Sequence, residues 1–194
     1  MEFIKILAIA VALAMDAFAV SISTGVSLKN VNSRQLFRLS WHFGLFQAFM
    51  PIIGWSAGLS IRSHIERYDH WIAFGLLAFV GVHMIKEAFQ DGKAEKPIKD
   101  YTKGMTLVML SVATSIDALA VGFGLSMLKI SIWIPALIIG IVAGAFTLIG
   151  MHIGERISAA ERLSLYAESI GGIVLIFIGL NILYEHGVFS TLLK

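Results

Sequence analysis

The chain of 194 residues has no cysteine, three prolines and few charges: 15 Lys+Arg and 13 Asp+Glu, 14% of all residues. Without cysteine there can be no disulfide framework, no thiolate nucleophile and no zinc–thiolate site. Any metal chemistry must therefore use oxygen or imidazole ligands. A soluble domain carries about 25% charged residues, so 14% leaves too few to coat a water-facing surface. The formal net charge of +2 is too small to point to a nucleic-acid partner. What the chain has instead is apolar side chains, 57% of the total, and the class that follows is an all-α integral membrane protein.

A helix that crosses a bilayer needs about 20 mostly apolar residues. Ile6 to Leu28 qualifies, interrupted only by Asp16, as does Thr106 to Leu128, interrupted only by Asp117. Leu39 to Ile61 and Ile130 to Gly154 carry no formal charge. Trp71 to Ile85 and Ser169 to Tyr184 are shorter and need their flanks to span. Six transmembrane helices are predicted. The first is longer than the usual core of a secretory signal and has an acid in its middle, so it is expected to remain in the mature protein. Lysines and arginines favour the cytoplasmic side. Lys5, Arg62, Arg67, Lys129 and Lys194 fall on one side and the other ten on the opposite side, which places both termini outside the cytoplasm.

The two halves of the chain repeat one another. Asp16-Ala-Phe-Ala-Val matches Asp117-Ala-Leu-Ala-Val, Gly54-Trp-Ser-Ala-Gly58 resembles Gly150-Met-His-Ile-Gly154, and Gly81-Val-His-Met-Ile-Lys-Glu87 resembles Gly179-Leu-Asn-Ile-Leu-Tyr-Glu185, at offsets of 101, 96 and 98 residues. With three spans in each half, the second half enters the membrane from the opposite side. The predicted architecture is thus one membrane domain of two inverted three-helix repeats, residues 1–92 and 105–194, joined by a cytoplasmic linker at 93–104. Secondary transporters commonly follow this plan, with the binding site at the midplane between the halves.

Asp16 and Asp117 lie near the centres of their spans, at equivalent places in the repeat. An ionised Asp at that depth costs about 2.5–3.5 kcal/mol on insertion scales, and such residues face a bundle interior or a water-filled pathway. Two carboxylates close together in a low dielectric must share a proton or hold a cation. Their oxygens suit hard divalent ions such as Mn²⁺, Mg²⁺ or Ca²⁺. Gln47, deep in the second span, offers either a neutral oxygen ligand or an interhelical hydrogen bond. Ser23 and Thr114 share the helical faces of Asp16 and Asp117 and are further candidate ligands, although hydroxyls in membrane helices also bond to carbonyls. Gly25, Gly122 and Gly124 permit close helix approach. An intramembrane aspartyl protease would also need two buried acids, but such enzymes carry Gly-x-Gly-Asp, whereas Asp117 follows Thr114-Ser-Ile116 and Asp16 follows Leu13-Ala-Met15.

The segments Ala14-Met-Asp16-Ala-Phe-Ala-Val-Ser21, Phe43-Gly-Leu-Phe-Gln47-Ala-Phe-Met-Pro51-Ile-Ile-Gly54-Trp55 and Ala113-Thr-Ser-Ile-Asp117-Ala-Leu-Ala-Val-Gly122 together resemble the bacterial MntP-type manganese efflux pumps, over essentially the whole chain. The resemblance implies a transporter rather than an enzyme, in the bacterial plasma (inner) membrane. Its cargo would be Mn²⁺, with no separate cofactor; protons as the counter-ion follow instead from their competition with the metal for the paired acids. The resemblance also implies that Asp16 and Asp117 are the functional acids and that Gly25 is a sensitive position. Some members have an acid where this chain has Gln47. The family also has sporulation-associated relatives, so a non-transporting membrane stress or sporulation protein stands as the other reading.

Overall fold

The computed structural model describes residues 3–28, 30–65, 69–90, 102–156 and 160–185. The linker expected at 93–104 lies outside the described residues except for its last three, as do the two chain ends. The described residues contain no strand and form seven helical segments: α1 (Phe3–Leu28), α2 (Ser33–Ile65), α3 (Asp69–Gln90), α4 (Gly104–Ala113), α5 (Ile116–Met127), α6 (Trp133–Arg156) and α7 (Ala160–Glu185). Four stretches are long and apolar enough to cross a membrane, namely Phe3–Leu28, Ser33–Ser60, Gly104–Met127 and Trp133–Arg156. In the two short runs the flanks do extend the helix: α3 has 22 residues and α7 has 26, about 33 and 39 Å at 1.5 Å per residue.

The fourth span, Gly104–Met127, is present but interrupted: it consists of two helical segments, α4 and α5, separated by Thr114 and Ser115. Three hydroxyls bond back to carbonyls of their own helix here: Ser111 to Leu107 at 2.8 Å, Thr114 to Leu110 at 3.0 Å and Ser115 to Ser111 at 2.8 Å. Such back-bonding competes with the helical ladder and bends helices. The segments have 10 and 12 residues, each about half of a 30 Å hydrocarbon core. The break therefore sits near the middle of the span.

The surface of the bundle is apolar, as lipid contact requires: Phe49, Ile53, Leu137, Ile141 and Phe177 are all more than half exposed. Inside, α1 packs on α6 and α7, α5 packs on α2 and α3, α2 crosses α6, and α3 crosses α7. Exchanging the halves of the chain leaves this set of pairs unchanged. Close approach rests on glycines whose positions repeat in the same way. A Cβ at Gly54 would strike the Leu119 carbonyl, and one at Gly150 would strike the carbonyl of Phe18. The glycines differ by the 96-residue offset and their partners by the 101-residue offset. Gly58 against Phe123 and Gly154 against Ile22 form a second such pair. Where α2 crosses α6, Gly44 meets Gly140, its own equivalent: a Cβ on either would come within 2.9 or 2.8 Å of the other's carbonyl oxygen. Ser40 lies against Gly144 and Ala48 against Gly140, so these two equivalent helices run antiparallel. At one end of the bundle the Val31 N–H donates to Glu155 Oε1 at 3.2 Å, which ties the turn between α1 and α2 to the end of α6.

Because small residues let the helix backbones touch, overpacking at these seats should cost about 1–3 kcal/mol. Gly54→Ala and Gly150→Ala are expected to lower thermal stability in detergent by that amount. Gly75, with no atom within 4 Å of a built Cβ, should tolerate Ala with no loss. Equal melting of Gly54→Ala and Gly75→Ala would contradict this packing account.

Candidate metal centre

The helix break determines the local geometry around Asp117. In an unbroken helix the Thr114 carbonyl would accept the N–H of Ala118. Here Gln47 Nε2, reaching across from α2, donates to Thr114 O at 2.8 Å in full burial. The Ala118 N–H instead donates to Asp117 Oδ1 at 2.8 Å. Asp117 thus sits in the first turn of α5, where the unpaired N–H groups and the helix dipole favour a carboxylate.

Asp16 is placed differently. It lies midway along the continuous α1, where the ladder already uses the neighbouring N–H groups. The adjacent Ala17 belongs to a packing cluster with Phe43 of α2, Leu107 of α4 and Met151 of α6. Leu13, one turn earlier, belongs to the main core cluster that also contains Ala118 and Val121 of α5. The residues flanking Asp16 thus take part in both apolar clusters. α1 and α5 are not one of the closely packed helix pairs.

Asp16 Oδ1, Asp117 Oδ2 and Gln47 Oε1 are buried oxygens that accept no hydrogen bond, although both aspartates have other interactions. Each comes from a different helix. A buried oxygen left without a donor carries a desolvation cost of about 1–3 kcal/mol, which a cation would offset. Among the described residues no three His, Cys, Asp or Glu side chains cluster as a metal site. A cation held here would therefore need neutral oxygens beside the two carboxylates.

The other candidates are placed less directly. The Thr114 hydroxyl bonds within its own helix, to Leu110 O at 3.0 Å and Ser111 O at 3.3 Å; what reaches Gln47 is the Thr114 main-chain carbonyl. Ser23 is exposed, and seven residues along a continuous helix set it about 10 Å from Asp16 along the axis. Gly25 and Gly122 do allow close approach, to α6 and to Pro51 respectively, whereas Gly124 has no neighbour nearer than 3.7 Å. Sequence reasoning passed over Ser111 and Ser115, both fully buried. Their signal was the run of hydroxyls Ser111-x-x-Thr114-Ser115 directly before Asp117.

Asp117 thus has a structural role that can be separated from ion binding. Asp117→Asn retains an oxygen for the Ala118 N–H and should leave thermal stability in detergent within about 1 kcal/mol of the parent, whereas Asp117→Ala should lose about 1–2 kcal/mol. Equal losses in the two variants would show that the Asp117–Ala118 bond does not support the break.

Residues 30–183 match a family described as "Putative manganese efflux pump". A relative of that name from Nitratidesulfovibrio vulgaris is 57% identical over 191 residues, covering 98% of this chain and 95% of the relative. One from Syntrophotalea carbinolica is 58% identical over 186 residues, covering 96% and 98%. One from Desulfotalea psychrophila is 63% identical over 166 residues, covering 86% of each. No solved structure matches. With a family match over most of its length and relatives this similar from end to end, the chain belongs to the MntP family.

Proposed function

We propose that this protein exports Mn²⁺ from the cytoplasm across the bacterial plasma (inner) membrane, binding it at Asp16 and Asp117 with Gln47 as a neutral ligand. The observation that carries the reading is the set of three buried acceptor oxygens, one each from α1, α2 and α5, two of them, on Gln47 and Asp117, belonging to side chains bonded at a helix break near the middle of the span. The names of the relatives support manganese as the cargo.

The charge arithmetic gives the cycle. Two ionised carboxylates and one Mn²⁺ are neutral together, so the loaded site avoids most of the cost of a bare charge at the bilayer centre. Once the ion leaves, the carboxylates must take up protons to cross back unloaded. Protons from outside therefore exchange for Mn²⁺ at the same oxygens. Oxygen-only ligation favours Mn²⁺ and other hard divalent ions over soft ones. The hydroxyls of Ser23 and Thr114 are not ligands in this scheme.

Alternating access follows if the halves are inverted repeats, with the termini outside and the lysine-rich linker in the cytoplasm. The paired glycine seats, the Gly44–Gly140 crossing and the antiparallel course of α2 and α6 support this topology. Rocking one half against the other would expose the same acids first to one side of the membrane and then to the other.

In a manganese-sensitive host, expression is expected to lower intracellular Mn²⁺ and restore growth, and Asp16→Ala or Asp117→Ala to abolish both. Full rescue by either variant would defeat the proposal. Proton exchange is tested separately in vesicles: Mn²⁺ flux should accelerate several-fold under an opposing pH gradient, and equal flux with and without the gradient would remove that part of the scheme.

A further inference from the structure

The equivalent acids occupy unequal backbones, since the span of Asp117 is broken and that of Asp16 is not. The difference follows the side chains. The residues equivalent to Ser111, Thr114 and Ser115 in the first half are Ala10, Leu13 and Ala14, none of which has a hydroxyl. The residue equivalent to Gln47 in the second half is Ala143, whose methyl donates nothing. Only the span of Asp117 therefore has both a hydroxyl run that weakens it and, reaching across from α2 of the other half, an amide that can take over a carbonyl released by the break. Gln47 Nε2 occupies that carbonyl, Thr114 O, at 2.8 Å. The N–H that the carbonyl would otherwise accept, that of Ala118, turns to Asp117 Oδ1 at 2.8 Å.

A second asymmetry lies in the same turn of α2. Pro51 is inside the helix and has no N–H to return to the carbonyl of Gln47, four residues before it. The equivalent residue in α6 is Thr147, which has its N–H and whose hydroxyl donates to Ala143 O at 2.8 Å. Gln47 thus presents two oxygens outside the usual ladder: Oε1, which accepts no hydrogen bond, and its own main-chain carbonyl.

We propose that Gln47 is the positioning residue of the cation site: its amide N–H latches Thr114 O, holds the fourth span open and thereby aims Asp117, while its Oε1 and the main-chain carbonyl released by Pro51 face the cation as neutral donors. The latch makes the two halves unequal by construction, with Asp117 held at a fixed helix terminus and Asp16 carried on a continuous helix. The proposal rests on the reading of Asp16 and Asp117 as a divalent-cation site.

The chain has no cysteine, so spin labels can be placed without background at Met105, exposed in the first turn of α4, and at Ser131, exposed just past the end of α5. The purified full-length protein in detergent is compared with Gln47→Met, of similar length, and Gln47→Leu, one atom shorter, both without a donor, by electron–electron distance measurement and by Mn²⁺ titration. The label separation is expected to lengthen in both variants as the span straightens. Mn²⁺ affinity is expected to fall about tenfold or more, the equivalent of one buried hydrogen bond. An unchanged distance in either folded variant overturns the latch. If affinity falls while the distance stays constant, Gln47 is only a ligand. If the parent protein binds no Mn²⁺ but the distance still lengthens in the variants, the latch stands and the cation-site reading fails.

Discussion

A polar backbone group inside a bilayer has no water to turn to, so a break in a spanning helix survives only where side chains take over the bonds it releases. In this protein one hydrogen bond, from the Gln47 amide to the Thr114 carbonyl, makes such a break possible. Around it the sequence arranges a hydroxyl run that weakens the ladder before the break and a carboxylate that accepts the first N–H after it. Asp117 owes its place at a helix terminus to that exchange of partners. The two carboxylates therefore differ in surroundings although they match in sequence.

Packing supplies the frame in which this local device works. Lipid-facing side chains gain little from one another in an apolar solvent, so helix association depends on close backbone contact through small residues. The glycines at 54, 58, 150 and 154 provide these contacts in two equivalent interfaces between the halves, and Gly44 and Gly140 provide them where the equivalent helices α2 and α6 cross. Residues next to the two acids belong to apolar clusters that together draw on all seven helical segments. A relative movement of the halves would pass through this region. Its symmetry and its one asymmetric latch are thus properties of the same place.

Much of this was legible in the sequence, for reasons that can be traced. Charge scarcity and run lengths gave the membrane class, because the bilayer sets a minimum span. The repeated Asp-Ala-x-Ala-Val and Gly-x-x-x-Gly motifs pointed to the acids and to the paired glycine seats, because both depend on local spacing. The break at Thr114–Ser115 was not anticipated: hydrophobicity runs on through it, and hydroxyls are tolerated in unbroken membrane helices. Its stabilising partner is 67 residues away, beyond the reach of any periodicity. Ser23 illustrates the opposite limit. Helical phase puts it on the face of Asp16, but Asp16 is itself only partly buried, and two turns further along the side chain has emerged from its neighbours. Thr114 was singled out for its hydroxyl, whereas the structure joins it to Gln47 through its main-chain carbonyl.

The central claim is that Asp16 and Asp117 hold a single hard divalent cation between them. Calorimetric titration of the purified protein with Mn²⁺, alongside Asp16→Asn and Asp117→Asn, tests it most directly. The account predicts one saturable Mn²⁺ site per chain in the parent protein and the loss of that site in each variant separately, because neither carboxylate alone can neutralise the ion. Unchanged Mn²⁺ binding in either variant would contradict it.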